Sequence, residues 1–371
     1  MLNVPYLDYF VLTFYNFIIM KTVARITLKA GDILGEDILN SQGERIYAKG
    51  TKLDLKALDR LARYNVMAVT IMEDIDFAET HTEKVKASDD FKNFKNVYYE
   101  CVPVFRKIID NLVIDHTTPP IDQLMGLYIK LASNAPTGDK LLEYLVNIPP
   151  DMENMIYEHM LNCGMIASVF GNWLGLTKQE LFMFIQCGFL YDVGKLCLPK
   201  ELIYKPSKLT NEEFDLMKTH TTLGADLLSE VGLNSTISKC ALQHHEKGDG
   251  SGYPNHIMIA DIDNFAQYMS IIDAYEAMSA PKTYRFPLNV FEIITNFQKD
   301  AVKYNKMKLE AILFHIASTQ LGLHAKLNDG REGDVIFINN LNCGRPMIRE
   351  ENGMIIDLNN EPESIYIYAL F

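Results

Sequence analysis

Six side chains in the middle of this sequence have the donor chemistry of a metal centre: His159 in YEHML, Asp192 in YDVGK, His220 in MKTH, the pair His244 and His245 in QHHEKGDGSGYP, and Asp273 in IIDAYEAM. Imidazole and carboxylate together suit first-row divalent or trivalent metals such as Fe and Mn, whereas no thiolate cluster suggests a structural zinc. The donors are spread from residue 159 to residue 273, so spacing alone does not assemble them, and a lone histidine on a helix is more often a satisfied polar residue than a ligand. Lys195 follows Asp192 by one helical turn. On the same helix it would face the same side, able to donate to a phosphate oxygen or to steady a metal-bound water, with a solvated lysine as the plain alternative. Gly252, Tyr253 and Pro254 follow Asp249 and Gly250 in a turn-rich run. There the glycine permits close backbone approach, the proline stiffens the exit, and the tyrosine ring could meet a guanine or a phosphate; an ordinary turn is the plain alternative.

These residues need elements to position them. From Asp151 to about Leu323 the apolar spacing predicts helix after helix with short loops, and five of the nine histidines fall between His159 and His256. Upstream, residues 21–76 read as a small α/β module: short strands in VARITL, EDIL and ERIYAKG, a helix from Asp54 to Tyr64, then a strand from Val66 to Met72. Residues 77–150 read as a charged linker followed by helices, interrupted at Thr117 to Pro120 and around Pro136. Residues 331–371 switch to period-two alternation with Asn352–Gly353 as a hairpin signal, predicting a β appendage. The expected fold is therefore mainly α, with a helical domain over 151–330 between a small N-terminal α/β module and the C-terminal β appendage.

The chain has 371 residues, 48% of them hydrophobic and 22% charged, far from the composition of a disordered chain and long enough for two or three domains. With 48 Asp+Glu against 35 Lys+Arg, its formal charge of -13 argues against a nucleic-acid polymer as partner, because phosphate binding of that kind needs a basic stripe. An anionic ligand must instead meet a local cation cluster. Six scattered cysteines without a C-x-x-C pair fit a reducing, cytoplasmic setting. Residues 1–20 are strongly apolar, but Pro5, Asp8 and Asn16 interrupt them, and neither a leading positive charge nor a small-residue cleavage site flanks them. They read as an upstream extension rather than a membrane anchor.

Taken in order, His159, YDVGK, KPSKLT, His220, HHEKGDGSGYP and DAYEAM resemble the HD-GYP family, a branch of the HD-domain metal-dependent phosphohydrolases, over residues 150–330. The run at 244–254 is long and specific. The resemblance implies an all-α catalytic domain that hydrolyses the bacterial second messenger cyclic di-GMP to linear pGpG, with onward cleavage to GMP left open. It also implies a centre of two metal ions, most simply Fe or Mn, held by His159, Asp192, His220, His244, His245 and Asp273, with Asp192 as the bridge. Paired ions would lower the pKa of a shared water and clamp the attacked phosphate. Lys282 and Arg285 fall where family members contact the ligand's phosphates, Lys282 standing where arginine is usual, which keeps charge but loses the bidentate fork. A homodimer or a signalling protein partner would also fit.

One departure stands at the family's name-giving position, where Tyr191 replaces histidine. A phenol, with pKa about 10, is a poor ligand unless the metal is acidic enough to deprotonate it. Three outcomes are open: Tyr191 ligates as phenolate, the site works with fewer ligands, or one metal is lost and catalysis with it. Met155 stands where three-metal members have a carboxylate, which limits the expectation to two ions. The alternative to an enzyme is a degenerate module that binds cyclic di-GMP or a protein partner without turnover. A weaker third is hydrolysis of another phosphoester or cyclic dinucleotide.

Overall fold

The structure is a computed structural model; it describes residues 80–205, 207–280 and 288–371 and, between residues 20 and 72, the segments named here. The apolar extension, of which residues 1–19 are not described, and the positions of Lys282 and Arg285 lie outside the described residues. The chain divides into two compact units, Met1–Ala78 and Glu79–Phe371.

In the first unit, β1 (Met20–Ala24), β2 (Ile33–Leu34), β3 (Ile38–Leu39), β4 (Arg45–Tyr47), α1 (Leu55–Arg63) and β5 (Ala68–Met72) follow one another. A three-stranded sheet has the order β1-β5-β2, antiparallel throughout, with Val23 opposite Val69; β3 and β4 pair separately. Leu34, Leu53, Ala57, Leu61 and Val69 make its small core. The spacing of Ala57 and Leu61 places them on one face of α1, which is why that short helix forms here.

The second unit is a helical body. Its helices are α2 (His81–Ala87), α3 (Asp89–Asp115), α4 (Ile121–Ala132), α5 (Gly138–Leu145), α6 (Met155–Trp173), α7 (Lys178–Leu190), α8 (Lys200–Ile203), α9 (Asn211–Lys218), α10 (His220–Glu230), α11 (Ser235–Gln243), α12 (Asn264–Ser279), α13 (Val290–Lys299) and α14 (Lys306–Ser318). Local chemistry sets many of the starts. Thr80–Glu83, Thr177–Glu180, Thr210–Glu213 and Asn289–Glu292 form capping boxes, each satisfying two backbone N–H groups that a helix start leaves without partners. In α6 every residue from Met160 to Gly171 is buried, and a helix apolar on all sides must be central.

Residues 77–150 hold α2 to α5, and these pack into the same core as the helices beyond: Phe94, Tyr98 and Phe105 of α3 share one cluster with Phe170, Phe189 and Ile272. A five-stranded antiparallel sheet follows, β6 (His324–Leu327), β7 (Glu332–Phe337), β8 (Met347–Arg349), β9 (Ile355–Asp357) and β10 (Ile367–Leu370), in the order β10-β6-β7-β8-β9. It begins at His324, before the expected boundary, and Ala325, Leu327, Val335, Ile348 and Ile367 join the helical core rather than forming one of their own. Asn352–Gly353 does turn the β8–β9 hairpin, with Gly353 at φ +84°. No helix among the described residues is long and apolar enough to cross a membrane.

Candidate metal centre

His159 lies on α6, His220 opens α10, His244 ends α11 with His245 next to it, and Asp273 sits midway along α12. Asp192 and Lys195 do not share a helix as expected. The hydrogen bonding of α7 closes when Tyr191 N donates to Cys187 O, and a 3-10 turn over Val193–Cys197 takes over, with Lys195 N donating to Asp192 O at 3.1 Å. Three residues are one turn of this tighter helix too, so Lys195 Nζ still comes within 2.5 Å of Asp192 Oδ2.

Glycines bring these elements to contact distance. A Cβ on Gly188 would lie 2.6 Å from Gly164 Cα and 2.8 Å from Cys163 O, so α6 and α7 cross backbone against backbone beside His159 and Tyr191. A Cβ on Gly194 would strike the His220 carbonyl and the backbone of Gly224, so the turn carrying Asp192 lies directly on the first turn of α10.

The donors fall into two groups, His220 with His244 and His245, and His159 with Asp192 and Asp273; in each, one ligand atom per residue lies within 4.8 Å of the others. In the first group, His220 Nδ1 donates to Met217 O at 2.6 Å and His244 Nδ1 donates to Ala241 O at 2.8 Å. A carbonyl can only accept, so each Nδ1 holds the proton and each Nε2 presents a lone pair. Those two Nε2 atoms face one another at 3.2 Å. Asp192 Oδ1 adds a third lone pair, 3.4 Å from His220 Nε2 and 3.9 Å from His244 Nε2. Both Asp192 oxygens are buried without a hydrogen bond; Lys195 contributes only an ionic contact to Oδ2. Burial, aided by the positive charge of Lys195, lowers the pKa of His220 to about 3; burial, aided by His220, lowers that of His244 to about 4, and His245 is depressed by the same causes. Neutral imidazoles and a carboxylate converging with no proton among them form an unfavourable arrangement that a cation resolves. The first group, with Asp192 Oδ1, fits a metal ion.

The second group differs. His159 Nδ1 bonds Glu276 Oε2 at 2.7 Å, and His159 Nε2 lies 3.2 Å from Asp273 Oδ1 and 3.5 Å from Asp192 Oδ2. Among these atoms stands the hydroxyl of Tyr191, 2.6 Å from His159 Nε2 and donating to Asp273 Oδ1 at 2.9 Å. Burial and the adjacent Asp273 carboxylate push this phenol well above its ordinary pKa, which opposes phenolate ligation. The donor types fit a metal, but the space among them already holds an oxygen of the chain.

The loop after His245 is fixed by its own backbone. Glu246 accepts from Asn255 N at 2.6 Å and Ile257 N at 3.2 Å, and a Cβ on Gly252 would strike the backbone of His245, Glu246 and Lys247. The close approach that Gly252 permits is therefore to its own chain. The Tyr253 ring stacks on His245, with centroids 4.7 Å apart, so it covers a candidate ligand; Pro254 follows through a cis peptide.

Several residues of the site escaped the sequence reading. Tyr98 Oη donates to Asn162 Oδ1, Asn162 Nδ2 donates to Glu276 Oε1, and Glu276 holds His159, a chain of bonds running from α3 to the centre. Glu276 had a signal available, since it follows Asp273 by one helical turn and must share its face. Cys163, 3.3 Å from the Tyr191 hydroxyl, is likewise one turn from His159. Nothing in the sequence ties Tyr98 to them.

Residues 145–306, which hold all of these donors, match the HD domain family. They form an HD domain. Curated relatives of the chain include the cyclic di-GMP phosphodiesterase PdeB of Borreliella burgdorferi, 28% identical over 58% of this chain and 57% of the relative. Others are the 3'3'-cGAMP-specific phosphodiesterase 2 of Vibrio cholerae, 27% identical over 52% and 37%, and a cyclic di-GMP phosphodiesterase of Thermotoga maritima, 31% identical over 44% and 45%. The chain thus spans between 37% and 57% of the length of these relatives. A solved HDG"Y"P protein of Bdellovibrio bacteriovorus aligns with 79% of this chain and 98% of its own at 14% identity and a TM-score of 0.39, a likeness on which nothing about function rests. The HD domain continues without a break in its core into α3–α5 and the C-terminal sheet.

Proposed function

We propose that this chain is a metal-dependent phosphodiesterase acting on a cyclic dinucleotide, with cyclic di-GMP as substrate and linear pGpG as product. The observation that carries the reading is the meeting of His220 Nε2, His244 Nε2 and Asp192 Oδ1 with no proton among them. The names of the relatives support the substrate class, two being cyclic di-GMP phosphodiesterases and one acting on 3'3'-cGAMP.

His220, His244, His245 and Asp192 would hold the metal, Fe or Mn by donor type. When bound, such an ion supplies positive charge to a phosphate oxygen and makes water more acidic. His220 and His244 are kept in the metal-binding tautomer by the carbonyls of Met217 and Ala241. Lys195, its side chain 25% exposed, is the described cation best placed to meet a phosphate. Burial opposes its charge, but Asp192 and Asp273 outweigh burial and keep the ammonium protonated. Tyr253 lies over His245 and shields that face from water. By the family resemblance alone, Lys282 and Arg285, which lie outside the described residues, would add phosphate contacts.

The test is to supply the purified chain with Mn2+ or Fe2+ and follow cyclic di-GMP by chromatography. Turnover to pGpG that falls to background in Asp192→Ala supports the reading. Binding of the nucleotide without turnover under either metal overturns it in favour of a binding module.

A further inference from the structure

We propose that the chain holds one metal ion, at His220, His244, His245 and Asp192 Oδ1, and that the Tyr191 hydroxyl fills the place of a second. The inference rests on the proposed function only for the presence of a metal, and deepens it by giving the number of ions.

The two donor groups differ in what each donor atom faces. In the first, the atoms face one another: His220 Nε2 looks at His244 Nε2 across 3.2 Å, with Asp192 Oδ1 at 3.4 Å. In the second, each faces a polar atom of the chain: Tyr191 Oη stands 2.6 Å from His159 Nε2 and 2.9 Å from Asp273 Oδ1, and Lys195 Nζ stands 2.5 Å from Asp192 Oδ2. His159 Nε2 and Asp273 Oδ1 are 3.2 Å apart. An ion bound to both at about 2.0–2.2 Å would compete for the space where the phenolic oxygen already sits.

The ring has no room to turn aside. Tyr191 is fully buried, edge-on to His244 at 4.7 Å between centroids and to His159 at 6.0 Å, with Cys163 Sγ 3.3 Å from its hydroxyl. A close-packed interior offers no alternative rotamer without displacing these neighbours. Reach is the deciding property: the phenol is long enough to place its oxygen between His159 and Asp273, whereas an imidazole at 191 would stop short of it and leave the space to an ion. The two-ion centre implied by the family resemblance is thereby reduced to one.

Equilibrium dialysis of the full chain against Mn2+ alone, with bound metal counted by plasma mass spectrometry, reads the number of ions without any turnover. The wild-type chain is expected to saturate at one Mn2+ per chain, Asp273→Asn to stay at one, and Tyr191→His to take up a second. Two ions in the wild type, the loss of an ion in Asp273→Asn, a folded Tyr191→His that stays at one, or a visible phenolate-to-iron absorption band in the Fe-loaded protein would each overturn the inference. A wild-type chain that binds no ion overturns the proposed function as well, so the two failures are told apart.

Discussion

Asp192 and Glu158 are both buried acids, and their surroundings give them opposite chemistry. Asp192 Oδ1 faces the neutral imidazole nitrogens of His220 and His244 without a hydrogen bond, an arrangement that calls for a cation. Glu158, beside His159 on α6, has only Asp151 N donating to Oε2, and its Oε1 is buried without a partner. Burial raises its pKa from 4.5 to about 7, helped by the charges of Asp151 and Glu276 and opposed by that one hydrogen bond. The folded chain therefore holds a proton here that the unfolded chain releases between these values, so this contribution to stability is complete below pH 4.5 and is lost as pH rises through about 7. Glu158→Gln keeps an acceptor and removes the titration. It is expected to raise Tm over the wild type by several degrees at pH 8 and to change it far less at pH 5; an equal offset at both pH values would contradict the burial argument.

Between residue and fold, the centre depends on elements meeting without side chains between them. The α6–α7 crossing at Gly164 and Gly188 and the contact of the 3-10 turn with α10 at Gly194 and Gly224 each set a pair of donors side by side. Backbone cannot rotate away from an added methyl, so Gly194→Ala is expected to cost more than the roughly 1–3 kcal/mol of ordinary overpacking. Gly224→Ala, whose Cβ would meet Gly194 N at 3.1 Å, a tight contact that asks the backbone to give by a few tenths of an ångström, should cost less. Urea midpoints of the two variants give the ordering, and a neutral Gly194→Ala would show that the turn is free to shift. None of this was legible in the sequence, because a glycine within an element carries no mark of the distant backbone it will touch. The six candidate donors could be nominated from the sequence, since His and Asp in the order of a known family need no contact information to be picked out.

At the scale of the molecule, the two units have separate cores, Leu34, Leu61 and Val69 in one and Phe94, Phe170 and Ile272 in the other. Removal of residues 1–78 should leave the Tm of the remaining chain and its Mn2+ count unchanged, measured by calorimetry and dialysis; loss of either would mean that the second unit depends on the first. The two units meet in sequence at Ala78 and Glu79, in a stretch where the sequence loses its apolar periodicity. Within the second unit, residues on both sides of 150 and of 330 share one core cluster. The periodicity changes from helical to strand near 330 only, and both α3–α5 and the sheet bury their apolar faces on the central helices; period reports local conformation rather than partner. The net charge of -13 disfavours a long polyanion, while Lys195 beside the candidate cation site would suit a small one.

The sequence was enough to establish the helical class and to nominate the candidate donors and the anomaly at Tyr191, because residue type, periodicity and order along the chain are local properties. Tertiary structure alone decided how those donors divide. It turned His220 and His244 so that their lone pairs meet, placed the two oxygens of Asp192 toward different groups, and ran the Tyr191 hydroxyl between His159 and Asp273. The physical reason is one of scale: whether a phenolic oxygen or an ion occupies that space depends on about an ångström of side-chain reach inside a close-packed interior, and no pattern along the chain encodes such a distance.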